Sequence, residues 1–167
     1  MGAPLRILMV EDSEDDALLL LRELKQGGYE PLHERVESAA AVRAALQAGQ
    51  WDVILCDYHL QGFNGLEALG ILKESGIDIP FIIVSGMMGE EMAVEAMKSG
   101  AHDYIMKNSR QRLGPAIERE LREAAMRQER KRTEERYRQS EEKFRLLVES
   151  APDAIFVQIG GCFAYVN

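Results

Sequence analysis

The sequence predicts an α/β protein with a doubly wound, five-stranded parallel sheet and an extended C-terminal helix. Two observations predict this fold. Between residues 5 and 113, short apolar runs alternate with stretches of helical periodicity, and strands that alternate with helices form parallel sheets covered on both faces. Beyond Pro115, a suitable first residue for a helix, no Gly or Pro occurs before Pro152, so one helix can continue through this stretch.

Each predicted strand is a short apolar run, and each predicted helix between strands ends at or shortly before a glycine. Runs of this length are typical of buried strands, and glycine is typical of helix C-termini. The predicted strands are residues 5–10, 32–36, 53–56, 81–84 and 104–106. The predicted helices are residues 15–26, an Ala-rich stretch between the N-cap Ser38 and Gly49, residues 66–74 and residues 90–98.

Residues 114–150 form the predicted long helix, whose middle has no core to face. Residues 127–136 carry no apolar side chain, which is typical of a solvated rod or a dimeric coiled coil. A first set of residues at helical spacing is Ile117, Leu121 and Ala124; a second, offset set is Met126, Thr133, Tyr137, Ser140, Phe144 and Leu147. We expect this helix to form a homodimer with a second copy.

The composition is that of a soluble globular domain with a negative net charge. The 20 Lys and Arg residues against 28 Asp and Glu residues give a net charge of −8, which disfavours direct binding to nucleic acid. Cys56 and Cys162 cannot make a disulfide framework, and no apolar run exceeds five residues, too few for a membrane span or secretion signal. We therefore expect a cytoplasmic protein with no membrane contact.

Polar residues lie where four of the predicted strands end. Glu11 and Asp12 follow the first strand, Asp57 follows the third, Ser85 follows the fourth and Lys107 follows the fifth. The carboxyl ends of parallel strands face one crevice. Three carboxylates there repel one another unless a cation neutralises them, and all-oxygen ligands suit Mg²⁺. Because an ammonium and a hydroxyl suit phosphoryl oxygens, the sequence predicts phosphoryl transfer onto a carboxylate.

Several motifs, together with Glu11-Asp12, carry a family resemblance. They are Asp57-Tyr-His-Leu-Gln-Gly-Phe-Asn-Gly65, Ser85-Gly86, Gly100-Ala-His-Asp-Tyr104 and Met106-Lys107. On these motifs, residues 5 to about 125 resemble the receiver domain of two-component response regulators. The resemblance implies a flavodoxin-like fold and a phosphoacceptor switch rather than an enzyme.

The resemblance also implies a role for each matching residue. Asp57 would accept the phosphoryl group from a histidine kinase or phosphotransfer protein, and Ser85 and Lys107 would contact its oxygens. Tyr104 would turn inward when Ser85 moves. The implied Mg²⁺ ligands are Glu11, Asp12, Asp57 and the backbone carbonyl of His59.

The sequence departs from the family's commonest pattern at two positions. Gln61 and Asn108 stand where the family usually has proline. A cis peptide bond before Asn108 would cost about 3 kcal/mol or more. We therefore expect the peptide after Lys107 to be trans and the loop there to have a different shape.

Residues 140–167 resemble the opening of a PAS sensor domain. The matching stretches are Ser140-Glu-Glu-Lys-Phe-Arg-Leu-Leu-Val-Glu-Ser-Ala-Pro-Asp-Ala-Ile-Phe156 and Phe163-Ala-Tyr-Val-Asn167. The pattern after residue 150 is that of a strand, a Gly-Gly hairpin and a second strand, too short to close a core. We expect a receiver domain at 1–125, a helix or linker at 114–150, and a PAS domain that begins at 151–167 and is cut short.

Three other functions fit parts of the pattern. A Mg²⁺-dependent phosphatase with an Asp nucleophile would carry a second Asp where His59 stands. A nucleotide or flavin binder would have glycines in the loop at residues 11–16, which is acidic instead. A docking-only receiver, which never uses its site, is opposed only by the intact set of strand-end residues.

Overall fold

The structure, a computed structural model, describes residues 2–86, 89–150, 156–159 and 162–166. Its contacts divide the chain into two compact units, Met1–Ala124 and Ala125–Asn167. The strands are β1 Ala3–Val10, β2 Tyr29–Val36, β3 Val53–Cys56, β4 His59–Leu60, β5 Phe63–Asn64, β6 Phe81–Ser85, β7 Asp103–Met106, β8 Phe156–Ile159 and β9 Cys162–Val166. The helices are α1 Glu14–Gln26, α2 Ala39–Ala48, α3 Gly65–Ser75, α4 Glu90–Lys98, a 3-10 helix Lys107–Arg112, and α5 Leu113–Glu149.

Five strands of the first unit form one parallel sheet in the order β2-β1-β3-β6-β7. Side chains of successive residues point to opposite faces of a strand, and both faces of this sheet are buried. Leu8, Ile54 and Ile83 pack on one face, with residues of α2, α3 and α4. Ile7 and Leu55 pack on the other face, with residues of α1 and the start of α5. The doubly wound parallel sheet and the long C-terminal helix are therefore confirmed.

All five predicted sheet strands are present, with small differences at their ends. Strand β2 begins at Tyr29 and contains Pro31. Because β2 lies at the sheet edge, the missing N–H of proline can be accommodated there. Helix α5 begins at Leu113, two residues before Pro115. The pair β4 and β5 is a two-residue antiparallel ladder, which is too short to produce a sequence pattern.

In the second unit, strands β8 and β9 pair in antiparallel fashion. This arrangement confirms the predicted hairpin strands, while Gly160 and Gly161 of the predicted turn lie outside the described residues. Among the described residues, no helix has both the length and the apolar composition needed to cross a membrane.

Candidate functional site

The polar strand-end residues meet at the carboxyl edge of the sheet. Strands β1, β3, β6 and β7 are consecutive neighbours in the sheet, and the predicted residues lie at or just after their last positions. Glu11 is almost completely buried, with 2% of its surface exposed, and Ser85 is fully buried. One ligand oxygen each from Glu11, Asp12 and Asp57 lies within 4.8 Å of the others.

Lys107 connects this edge through its ammonium group. Its Nζ donates to Glu11 Oε2 at 3.0 Å, to Asp16 Oδ2 at 2.6 Å and to Asp57 Oδ2 at 2.6 Å. An ammonium has three N–H donors, so each donor has a carboxylate acceptor. The side chain of Lys107 is only 13% exposed, and contacts between charged groups are strong where water is largely excluded.

Burial and charge act in opposite directions on the two most enclosed groups. Burial raises the pKa of Glu11, and hydrogen bonds from Lys107 and the Ser13 amide lower it without cancelling that effect. Burial also lowers the pKa of Lys107, but its three hydrogen bonds to carboxylates outweigh burial and raise the pKa overall. Lys107 therefore remains a cation, and its positive charge offsets the negative charges of the three carboxylates that it contacts.

The loop between β1 and α1 is fixed by local hydrogen bonds. Glu11 Oε1 accepts from the Ser13 amide at 3.1 Å, and the Ser13 side chain caps α1 by accepting from the Asp16 amide at 3.2 Å. From the edge strand β2, Arg35 Nη1 donates to the carbonyl oxygens of Glu11 at 3.0 Å and Asp12 at 3.4 Å. The acidic pair therefore lies on a short, braced loop.

The loop after β3 presents the Asp57 carboxylate. Asp57 Oδ1 accepts from the His59 amide at 3.2 Å, which leaves Oδ2 to Lys107. The loop returns through β4 and β5 to α3, whose N-cap Asn64 forms a capping box with Glu67. A Cβ atom at Gly65 would lie 3.0 Å from the Asp57 carbonyl oxygen, so a larger residue there would press on the loop.

The remaining predicted residues lie on neighbouring strands. Ser85 is the last residue of β6 and is in register with Met106 of β7, directly before Lys107. Tyr104 is in register with Ile83 and packs, half-buried, against the core face that includes Ile83. The structure thus gathers the predicted residues at one edge; the carbonyl ligand role of His59 and the inward turn of Tyr104 remain predictions.

Asn108, the unusual residue after Lys107, does not prevent the Lys107 ammonium from contacting Asp57. No cis peptide bond occurs among the described residues, as expected from Asn108, and a 3-10 helix begins at Lys107. Lys107 still contacts Asp57 at 2.6 Å. The altered loop is therefore compatible with a strand-end lysine at the site.

Asp16 and Arg35 contact the site but are absent from the sequence-based prediction. Asp16 belongs to the acidic first turn of α1, where carboxylates also occur simply because they favour the helix dipole. Arg35 lies on the edge strand β2, whose charged residues have no distinguishing spacing. An acidic residue four positions after Asp12, in the first turn of α1, is the only signal that the sequence offers for Asp16.

A family model for the response regulator receiver domain matches residues 7–118. Among curated proteins, the nitrogen assimilation regulatory protein NtrX of Azorhizobium caulinodans is 36% identical over 103 residues. That match covers 60% of this chain and 22% of NtrX, so the chain spans about a fifth of the length of that relative.

Solved receiver domains have the same fold. A response regulator receiver domain from Clostridium thermocellum is 25% identical, with a TM-score of 0.62 over 73% of this chain and 98% of that one. The receiver domain of a sensor histidine kinase from Pseudomonas aeruginosa PAO1, which has a magnesium ion coordinated in its active-site cleft, is 23% identical. Its TM-score is 0.60, and the match covers 71% of this chain and 98% of that one. With the fold and the residues 7–118 both matched, this chain belongs to the response regulator receiver domain family.

Proposed function

We propose that this receiver is a phosphoacceptor switch of two-component signalling, in which Asp57 takes a phosphoryl group from a histidine kinase or a phosphotransfer protein. The observation that carries the proposal is the 2.6 Å contact between Lys107 Nζ and Asp57 Oδ2 beside the acidic pair Glu11 and Asp12. A nucleophilic carboxylate, a fixed cation and a cluster of oxygen ligands are the components that phosphoryl transfer needs.

The carboxylate cluster fits a magnesium ion. Its three close acidic groups are all hard oxygen donors, and oxygen-only ligands with room for water suit Mg²⁺. Glu11, Asp12 and Asp57 would hold the ion, with the His59 carbonyl as a further ligand. When bound, Mg²⁺ supplies positive charge that stabilises the transferring phosphoryl oxygens.

Asp57 supplies the nucleophile for the transfer. One of its carboxylate oxygens forms a bond to phosphorus, while the bond between phosphorus and the donor's leaving atom breaks and its electron pair stays with the donor. The Lys107 Nζ already lies 2.6 Å from Asp57 Oδ2. It can therefore redirect an N–H from Asp57 Oδ2 to a phosphoryl oxygen without a large movement. Ser85, at the neighbouring strand end, would donate its hydroxyl hydrogen to another oxygen.

The added charge supplies the switch. A phosphoryl group carries roughly −1.5 to −2 charges and replaces the single negative charge of the Asp57 carboxylate, so the negative charge increases at a site flanked by the buried Ser85. Tyr104 lies on the adjacent strand β7, two residues before the partner of Ser85 in the sheet register. Movement of Ser85 toward the phosphoryl group would let the Tyr104 side chain turn inward. A complete shift from 1% to 99% of the active state requires about 5.5 kcal/mol of differential free energy, which phosphorylation and dimerisation would share.

Intact-mass spectrometry after incubation with acetyl phosphate tests the proposal. We expect the mass of one phosphoryl group to be gained with Mg²⁺, not gained with a chelator, and removed by hydroxylamine, which cleaves acyl phosphates. The absence of a gain at saturating Mg²⁺ would contradict the proposal and favour a docking-only receiver. Rapid turnover of a generic phosphate ester would instead support a phosphatase, although His59 occupies the position of its second acid.

We also propose that α5 pairs with its counterpart in a homodimer and leads to a second domain. The second set of helically spaced residues, from Met126 to Leu147, would form the seam between the two helices. Its apolar side chains are unusually exposed: Met126 at 59%, Tyr137 at 74%, Phe144 at 58% and Leu147 at 62%. With Thr133 and Ser140 included, the positions from Thr133 to Leu147 follow one another at intervals of four and three residues, which is the spacing of a coiled-coil seam. The antiparallel strands β8 and β9 support a separate domain that starts at residues 151–167, for which a PAS domain is our proposal.

Replacement of one seam leucine is expected to weaken the dimer. Leu147→Asp places a charge in the seam and should raise the dimer dissociation constant at least about tenfold, equivalent to about 1.4 kcal/mol. Leu146→Asp is the matched control, because Leu146 is the adjacent residue and is equally exposed, at 57%, but lies off the seam. Sedimentation equilibrium measures both variants. Equal weakening by the two substitutions would contradict pairing through this seam.

A further inference from the structure

The three acceptors of the Lys107 ammonium differ in what else they are needed for. Glu11 and Asp57 belong to the carboxylate cluster that can hold a metal ion, whereas Asp16 does not. A carboxylate oxygen of Asp57 would also carry the phosphoryl group. Asp16, at 2.6 Å from Lys107 Nζ, is thus the one acceptor among the three that neither a metal ion nor a phosphoryl group would occupy.

Asp16 is itself held in place. Its backbone N–H donates to the Ser13 side chain at 3.2 Å, and the Ser13 amide donates to Glu11 at 3.1 Å. Its side chain is 34% exposed, while that of Lys107 is 13% exposed. The contact therefore joins the first turn of α1 to the end of β7 through a partly buried ion pair, a geometry that can fix a flexible lysine.

We propose that Asp16 is a positioning residue that keeps the Lys107 ammonium within reach of Asp57 when the other two acceptors are engaged. The inference rests on the proposed phosphoacceptor function. Without Asp16, the four-carbon stem of Lys107 would lose its remaining anchor, and the ammonium would spend less time where the phosphoryl oxygens arrive. Displacement of a catalytic group by about 1 Å can cost up to about a hundredfold in rate.

The first test compares labelling rates with acetyl phosphate and Mg²⁺. Asp16→Ala should label about tenfold more slowly than the wild type. Asp15→Ala is the matched control, since Asp15 is an exposed acid in the same helical turn, and it should label within about twofold of the wild type. A wild-type rate for Asp16→Ala, or equal slowing by both substitutions, would overturn the inference. Failure of the wild type itself to label would instead contradict the proposed function.

The second test needs neither metal nor phosphoryl donor. In Mg²⁺-free buffer, Asp16→Ala should lower the melting temperature by about 2 °C when Lys107 is present. In a Lys107→Gln background, the same substitution should raise the melting temperature, because it then removes one of several mutually repelling carboxylates. Such a change of sign shows direct coupling between Asp16 and Lys107. The same sign and size in both backgrounds would show that Asp16 acts independently, and would overturn the inference.

Discussion

An Asp57→Asn protein is expected to take up no phosphoryl group from acetyl phosphate. The substitution keeps the shape of the side chain but removes the carboxylate oxygen that would form the bond to phosphorus, and it places an amide beside the Lys107 ammonium or the His59 amide. Loss of a nucleophile is among the most damaging changes to covalent chemistry. By intact-mass spectrometry we expect no phosphorylated species, which corresponds to a fall of at least about a hundredfold in the labelling rate.

The same strand offers a matched control for this substitution. Asp52 precedes β3 and Asp57 follows it, so the two acids lie at opposite ends of one strand. Asp52 binds Arg6, with its Oδ1 3.0 Å from Nη2, and lies away from the carboxylate cluster. Asp52→Asn should therefore label at the wild-type rate. Stoichiometric, hydroxylamine-sensitive labelling of the Asp57→Asn protein would place the acceptor elsewhere and refute the assignment.

The strands and the strand-end residues could be predicted because two strong rules act on them. The central strands β3 and β6 are buried along their whole length, so they consist of continuous apolar runs that stand out in the sequence. In a parallel sheet all strands end at the same edge. Asp57, Ser85 and Lys107 are therefore brought together by chain direction alone, without knowledge of any side-chain conformation.

Asp16 and Arg35 could not be predicted because their contacts depend on side-chain reach. Asp16 is one of three acids in the first turn of α1, and only the position of its neighbour Lys107 distinguishes it from Asp15. Arg35 reaches from an edge strand to two backbone carbonyls. Because every residue has a backbone carbonyl, the residue types at the two ends of this contact do not reveal it. Charges that favour a helix dipole and charges that serve a site have the same sequence signature.

Replacement of Phe81 by alanine is expected to have the largest effect on stability. Phe81 is fully buried and in register with Ile54 of β3, and its backbone N–H donates to His102 Nδ1 at 3.1 Å. Truncation of a buried phenylalanine removes apolar contacts and leaves a cavity, at a cost of about 3–5 kcal/mol. This is a large part of the 5–15 kcal/mol by which a domain is typically stable.

Urea denaturation measures this loss, and Leu18→Ala is the control at an exposed position. Leu18 is 56% exposed on α1 of the same unit, so its truncation should change the free energy of unfolding of the receiver unit by less than about 0.5 kcal/mol. A loss below about 1 kcal/mol for Phe81→Ala would contradict its place in the core.

At temperatures where the Phe81→Ala protein stays folded, we expect it to label within about twofold of the wild-type rate. Phe81 begins β6 and Ser85 ends it, which separates them by about 13 Å, so the core residue governs how much protein is folded while the strand end governs the chemistry.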